Sequence, residues 1–368
     1  MNEFLKAKLL LNACKAPLSA WEELRASDSP EALWAGGQDM WLKLGLRPSS
    51  CTRLAELINE RNWPEREFDR TESFGARFVT ADDADYPVRL KDLNAPPIGI
   101  YVKGKLETLK PCLAIVGTRR CSRYGLSVAE AIGRSAVRAG YHVISGGAKG
   151  IDASGHRGCI IEGGATTAVL GTAVDRVYPA EHHRLFHEIL ENGALVSEYP
   201  MGSGGEPWRF PERNRIIVGL SKYVVVVESP EDGGAMITAR LGLEIGREIW
   251  CVPGRITDAA SKGTNSLIRD GAHPLVDIDD FIGKISGKYG QLLLEFGDNP
   301  VIQPAQQLPI SEKDRLIINL LQRKGSRTLD DIMEESGLSF VEAQSCLATL
   351  CAAGLVYESG PGRYSTGT

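Results

Sequence analysis

Between residues 112 and 283 the chain alternates short apolar runs with amphipathic stretches, and no other feature of the sequence constrains the fold as strongly. The runs CLAIVG (112–117), HVISGG (142–147), TTAVLG (166–171), ALVSEY (194–199), YVVVVES (223–229) and EIWCVPG (248–254) are continuously apolar. Strands of that kind are buried on both faces. The gaps at 123–139, 151–162, 181–192, 212–221 and 234–246 carry helical spacing. Strands separated by helices make an α/β fold with a parallel sheet covered on both sides. Such sheets bind ligands beyond the carboxyl ends of their strands. The expected site is therefore built from GTRR, SGGAKG, GTAVD, SEYP, ESPEDGG and PGR.

The flanks divide the rest of the chain. Residues 1–65 read as a small N-terminal helical domain, broken by Pro17, Pro30, Gly36, Gly37 and Pro48, with a faint helix-hairpin-helix turn in LGLRPSSCTRLAEL. Residues 66–285 form the sheet domain, led in by a connecting stretch. There Pro96 and Pro97 force extended backbone before a short strand at 98–102. Residues 286–309 lose periodicity and read as a linker. In 310–368, Ser311 with Asp314, Thr328 with Asp331 and Ser339 with Glu342 mark three helix starts. Gly354 closes the third helix, and a hairpin turns around Gly360-Pro361-Gly362. Three helices and a hairpin are the order of a winged-helix domain.

Charge narrows the function. Forty-two Lys and Arg against 47 Asp and Glu give a net −5, which excludes a broad basic face but leaves room for a local basic pocket. Within 112–256, 14 of 16 cations are Arg, a bias that fits fixed bidentate phosphate contacts. The eight cysteines show no zinc spacing, and His183 and His187 share a helical face without a third ligand, so no metal is expected. Scattered reduced thiols, an N-terminal apolar run too short for a signal peptide and the lack of a membrane-length apolar window point to the cytoplasm.

The loops carry the candidate contacts. Gly117-Thr118-Arg119-Arg120-Cys121-Ser122 lacks the glycines of a dinucleotide fingerprint, and the second strand ends in Ser145-Gly146-Gly147 rather than an acid, so NAD is disfavoured. Small residues leading into a helix still offer backbone N–H groups to an anion. Arg119 is either a phosphate contact or a solvated arginine at the sheet rim. Lys149 adds a point charge to the second loop, whose spacing is not that of a Walker A motif. Asp152 reads as a helix N-cap, with a dyad to His156 as the other option. Pro211 opens a helix whose first turn holds Arg213, Asn214 and Arg215; cations there oppose the helix dipole, so an anion is expected beside them. No catalytic motif is found.

Taken together, AIVGTRRCSRYG (114–125), SGGAKGID (145–152), VLGTAVDRVYP (169–179), SEYP (197–200), FPERNRIIVGLS (210–221), REIWCVPG (247–254) and KGTNSLIRDGAH (262–273) resemble the DNA-processing protein A family, in order and at family-like spacing over about 80–283. The resemblance implies an extended Rossmann-like core and a single-stranded DNA-binding protein without enzymatic activity or cofactor. Such a protein protects incoming DNA in natural transformation and helps load the RecA recombinase. It implies DNA contacts from Arg119, Lys149 and Arg215, with the backbone of Gly117, Thr118, Ser145, Gly146 and Gly147 completing the cradle; Ser122, Arg213 and Asn214 are further candidate contacts from their own place in the loops. It implies a homodimer in which the segment 263–275 takes part, with Leu267 and Ile268 as candidates. Ala173, His183 and Gly234-Ala235-Met236 depart from the family pattern and loosen the third and fifth loops. The competing class is a nucleotide phosphoribohydrolase acting on nucleoside monophosphates; its loop would require a Glu after Thr238, which this chain lacks.

Overall fold

The computed structural model describes residues 1–107, 110–286, 311–352, 355–360 and 363–366. The expected linker beyond Ser286 and the closing Gly354 lie outside them, as do Pro361 and Gly362 of the hairpin turn. The chain divides into two compact units, 1–289 and 290–368.

The first unit opens with six helices: α1 (Glu3–Ala13), α2 (Leu18–Ala26), α3 (Ala32–Ala35), α4 (Gln38–Lys43), α5 (Pro48–Asn59) and α6 (Trp63–Ser73). A hairpin follows, β1 (Ala76–Thr80) and β2 (Gly99–Gly104). Then strands and helices alternate: β3 (Cys112–Val116), α7 (Arg123–Arg138), β4 (His142–Ser145), α8 (Ile151–Ile161), β5 (Thr166–Val169), α9 (His183–Asn192), β6 (Ala194–Ser197), α10 (Arg209–Leu220), β7 (Tyr223–Val226), α11 (Gly234–Glu244) and β8 (Glu248–Cys251). It closes with α12 (Lys262–Arg269), β9 (His273–Pro274) and α13 (Ile278–Ile285).

The nine strands form one sheet in the order β1-β2-β6-β5-β4-β3-β7-β8-β9. From β6 to β9 every pairing is parallel, while β2 joins β6 and β1 joins β2 antiparallel. The six apolar runs all become strands, and each strand stops one to three residues before its run ends. Those residues leave the ladder and become loop. The chain steps outward from β3 to β6, then crosses back to lay β7 on the other side of β3. That reversal opens a crevice above β3 and β7.

Cores lie on both faces. Leu113, Ile115 and Val143 of the sheet cluster with Ile132 of α7, while Val116 and Val224 cluster with Ile217 of α10 and Ala239 of α11. The N-terminal helices do not keep a core apart from the sheet domain. Leu9, Trp21 and Leu54 share one cluster with Phe186 and Leu195. Asn12 pins the joint: its amide donates to Glu198 O at 3.1 Å and its Oδ1 accepts from Gly99 N at 3.1 Å.

In the second unit, α14 (Glu312–Lys324), β10 (Arg327–Thr328), α15 (Leu329–Ser336), α16 (Phe340–Ala352), β11 (Val356–Gly360) and β12 (Arg363–Thr366) surround Ile317, Leu321, Ile332 and Leu350. Ser311 with Asp314 and Thr328 with Asp331 form reciprocal caps. No helix among the described residues is long and apolar enough to cross a membrane.

Candidate nucleic-acid interface

The crevice at the strand-order reversal is a cleft of about 540 Å³, walled by the loop after β3, the start of α10 and the start of α11. A hollow of about 260 Å³ adjoins it through Arg119, Ala148, Tyr178, Phe210 and Arg213, which line both. The loops after β3, β4, β5 and β7 all contribute, as parallel strands ending on one edge require.

Arg119 stands exposed at the mouth with its guanidinium 5.2 Å from the centre of the Phe210 ring. Phe210 in turn lies 5.0 Å from Tyr178, centre to centre at 40°. Tyr178 is 44% exposed, and Trp208, at the N-cap of α10, is 56% exposed. Exposed rings beside a cation are what a single strand uses, since bases stack on the rings while the cation meets the backbone. These aromatics escaped the sequence reading. The signal available was FPERN itself, with an aromatic directly before its proline.

The floor is built from Asp152 and Arg213. Asp152 does not cap α8, whose N-cap is Gly150; its Oδ2 accepts from Gly146 N at 3.1 Å and Ala148 N at 3.3 Å. Burial raises its carboxyl to about 6, against the nearby Arg213 and those backbone donors. His156 turns away to Thr166 Oγ1 at 2.8 Å, so the dyad does not form. Arg213 is 5% exposed, and its guanidinium donates to Gly146 O at 2.7 Å and to Val169 O. Burial lowers it to about 10.

Several expected contacts are therefore corrected. Helix α10 begins at Arg209, so Arg213, Asn214 and Arg215 sit in its second turn, past the positive pole that was to favour an anion. Arg213 is a floor bolt. Arg215 is absent from the cleft lining; it donates to Glu198 Oε1 at 2.5 Å and Ala95 O at 2.7 Å. Burial would push Glu198 up, but Arg215 and Lys15 overcome it and hold the carboxyl down at about 2. Ser145 is fully buried and donates to Ile115 O at 2.6 Å. The backbone cradle is largely taken: Thr118 N donates to Glu228 O at 2.7 Å, and Gly146 N serves Asp152. Gly147 faces inward, its carbonyl 2.9 Å from His182 Nδ1. Ser122 caps α7 and donates to Glu228 Oε1 at 2.5 Å. Leu267 is a core residue, while Ile268 is half-buried.

Gly117, Thr118, Arg119 and Asn214 do line the cleft, joined there by Arg120. Lys149 lines the adjoining hollow, half-exposed and ion-paired with Glu181. An exposed pair of that kind is worth little and can yield to a phosphate. No group of three or more metal-ligating side chains occurs among the described residues.

A family model described as DNA recombination-mediator protein A matches residues 77–286. The chain is 35% identical to Protein Smf of Synechocystis sp. over 271 residues, 72% of this chain and 65% of that protein, so it spans slightly less than two thirds of that relative's length. The X-ray structure of DNA processing protein A from Streptococcus pneumoniae is similar with a TM-score of 0.66 and 28% identity, covering 77% of this chain and 98% of that one. A structure of DNA processing protein A from Helicobacter pylori, described for its single-stranded DNA binding mode, is similar with a TM-score of 0.53 and 27% identity. It covers 58% of this chain and 97% of that one.

Proposed function

The chain belongs to the DNA recombination-mediator protein A family, and on that premise we propose that it binds single-stranded DNA in the cleft between β3 and β7. The observation that carries the reading is Arg119 over Phe210, with Tyr178 beside it, at the crevice where the strand order reverses. Arg119 and Arg120 meet the backbone, Lys149 exchanges Glu181 for a phosphate, and the rings receive bases. Asp152 and Arg213 hold the floor and touch no DNA. The single-stranded DNA binding named for the Helicobacter pylori protein supports the reading.

In this reading the protein protects incoming strands in natural transformation and helps load RecA, as a homodimer. It acts by binding rather than catalysis. Asp152 is the one carboxylate lining the cleft among the described residues, and two backbone donors already occupy its Oδ2.

Arg119→Ala is the test. A charge-assisted hydrogen bond is worth ~1.5–3 kcal/mol, so the variant should bind a labelled single strand about ten- to a hundredfold more weakly in fluorescence anisotropy. The wild type should show a log–log salt slope of about −2 to −3. It should also shorten the lag of RecA filament formation on coated single strands, and the variant should not. Unchanged affinity in the variant refutes the assignment of the cleft.

A further inference from the structure

We propose that a second nucleotide subsite lies between the N-terminus of α7 and the loop after β8, and that the strand held in the first cleft continues into it. The inference rests on the single-stranded DNA reading above and goes beyond it in naming where the strand leads. The second cleft has a volume of about 690 Å³ and is lined by Ser122, Arg123, Tyr124, Glu228, Arg255 and Asp258, among others.

The two clefts share one wall. The loop joining β3 to α7 gives Arg119 and Arg120 to the first cleft, while its last residue Ser122 and the first two residues of α7, Arg123 and Tyr124, line the second. The segment running from β7 into α11 also borders both, with Glu228 in the second cleft and Gly233 and Gly234 in the first, so a strand leaving Arg120 meets Arg123 three residues further along the chain.

The wall is fixed on both sides. The buried Glu228 carboxylate accepts from Ser122 N at 2.8 Å and from its hydroxyl at 2.5 Å, which holds the loop and uses up the carboxylate's acceptors facing it. Across the cleft, the Asn265 amide of α12 donates to Gly254 O at 3.0 Å while its Oδ1 accepts from Gly254 N at 3.2 Å. That clamp presents Arg255 on a set backbone.

What faces the solvent is suited to one nucleotide. Arg123 and Arg255 are exposed, and neither side chain makes a hydrogen bond or ion pair among the described residues. Tyr124 is 54% exposed, so a ring face is open to a base. The N-terminus of α7, a 16-residue helix, is already met by Glu228 and the Ser122 hydroxyl, so the two arginines supply the cations for a phosphate. Against these stands Asp258 on the rim. Two arginines set against Glu228 and Asp258 leave no surplus of positive charge, so the subsite takes a single backbone phosphate and one stacked base rather than a polyanion.

The test uses the full chain and labelled oligothymidylates of about 5 and about 20 nucleotides, bracketing the span of one single-strand site. Arg123→Gln/Arg255→Gln should bind the longer oligomer about tenfold more weakly and the shorter one as the wild type does. Its salt slope on the longer oligomer should shrink by about 0.7, the share of one phosphate on a single strand. Tyr124→Ala should weaken the longer oligomer as well. Asp258→Asn should tighten it by about two- to threefold, a gain that a merely structural role would not give. Equal affinity of the double variant and the wild type for the longer oligomer overturns the subsite. If Arg119→Ala weakens both oligomers while the double variant weakens neither, the first cleft stands and the subsite alone falls. If the wild type binds neither oligomer, the reading of the first cleft falls and takes the subsite with it.

Discussion

A methyl group at Gly146 would lie 2.6 Å from Asp152 Oδ2 and 2.7 Å from Arg213 Nη2. Neither neighbour has room to retreat, because Asp152 is held by two backbone N–H groups and Arg213 by two carbonyls. Gly146→Ala should therefore lower unfolding free energy by about 1–3 kcal/mol, as overpacking does elsewhere, and should weaken single-strand binding in parallel. Denaturant melts and anisotropy on the same variant check both; wild-type stability would show that the floor has slack. The arginines of this region make a related point. Arg213 and Arg215 are two residues apart on a helix, about 200° around its axis, so one side chain enters the floor while the other turns toward Glu198. Helical geometry alone forbids both from facing one phosphate, whereas Arg119, on a loop, is free to stand at the mouth.

The loops at the strand ends divide into props and contacts. Ser122, Ser145 and Asp152 hold backbone in place, while Arg119, Phe210 and Tyr178 face the cleft. The C-terminal helices lack the sequence for a comparable surface. Helix α16 contains no Lys or Arg, Glu342 occupies its first turn, and residues 308–368 carry six cations against eight anions. A winged helix that reads duplex DNA needs cations on its third helix and wing. Residues 305–368 alone should therefore give no duplex shift in a gel at about 50 mM salt, low enough to favour phosphate contacts. A chain ending at 289 should keep single-strand affinity within about threefold, since each cation assigned to the cleft lies upstream. A salt-sensitive duplex shift by the short fragment would reverse this assignment.

At the scale of the whole molecule, buried titratable groups set the acid limit. Burial lowers His142 to about 4 and His156 to about 3, from an ordinary 6.5. Below pH 6.5 the unfolded chain takes up protons that the folded chain refuses, so stability falls as pH falls. Asp152 works the other way: raised to about 6 from 3.8, it is protonated first in the folded chain and gains stability on acidification through pH 6. Two histidines outweigh one carboxyl, and the net loss between pH 7 and pH 5 should be roughly 2–3 kcal/mol by denaturant titration. A flat or rising profile would contradict this balance. Self-association is the other property of this scale. With Leu267 in the core, Ile268 on α12 is the residue left for a contact between copies. Light scattering should give twice the chain mass at micromolar concentration, and Ile268→Asp should give the single chain mass with little change in melting temperature. A single-chain mass for the wild type would count against the dimer.

The six parallel strands and the helices between them were determined by the sequence, because burial on both faces demands continuous apolar runs and covering helices demand the other period. The edge of the sheet that carries the cleft followed from the same rule, since every run leads into Gly, Ser, Thr, Arg or Glu at its carboxyl end. The hairpin of β1 and β2 was only half legible: 98–102 reads as a strand after two prolines and the observed strand is Gly99–Gly104, whereas ARFVT at 76–80 gains its strand from pairing with β2. What a polar side chain does inside the cleft was decided by tertiary structure alone. Asp152, Ser145 and Arg213 carry the same chemistry whether they meet a ligand or a buried backbone group. Here carbonyls and amides brought from β3, β4 and β5 claim them first, because an unpaired polar group in the floor would cost more than an unmet ligand at the surface. Among the described residues Arg119 has no such claimant, and that difference lies in the packing around it rather than in its own letters.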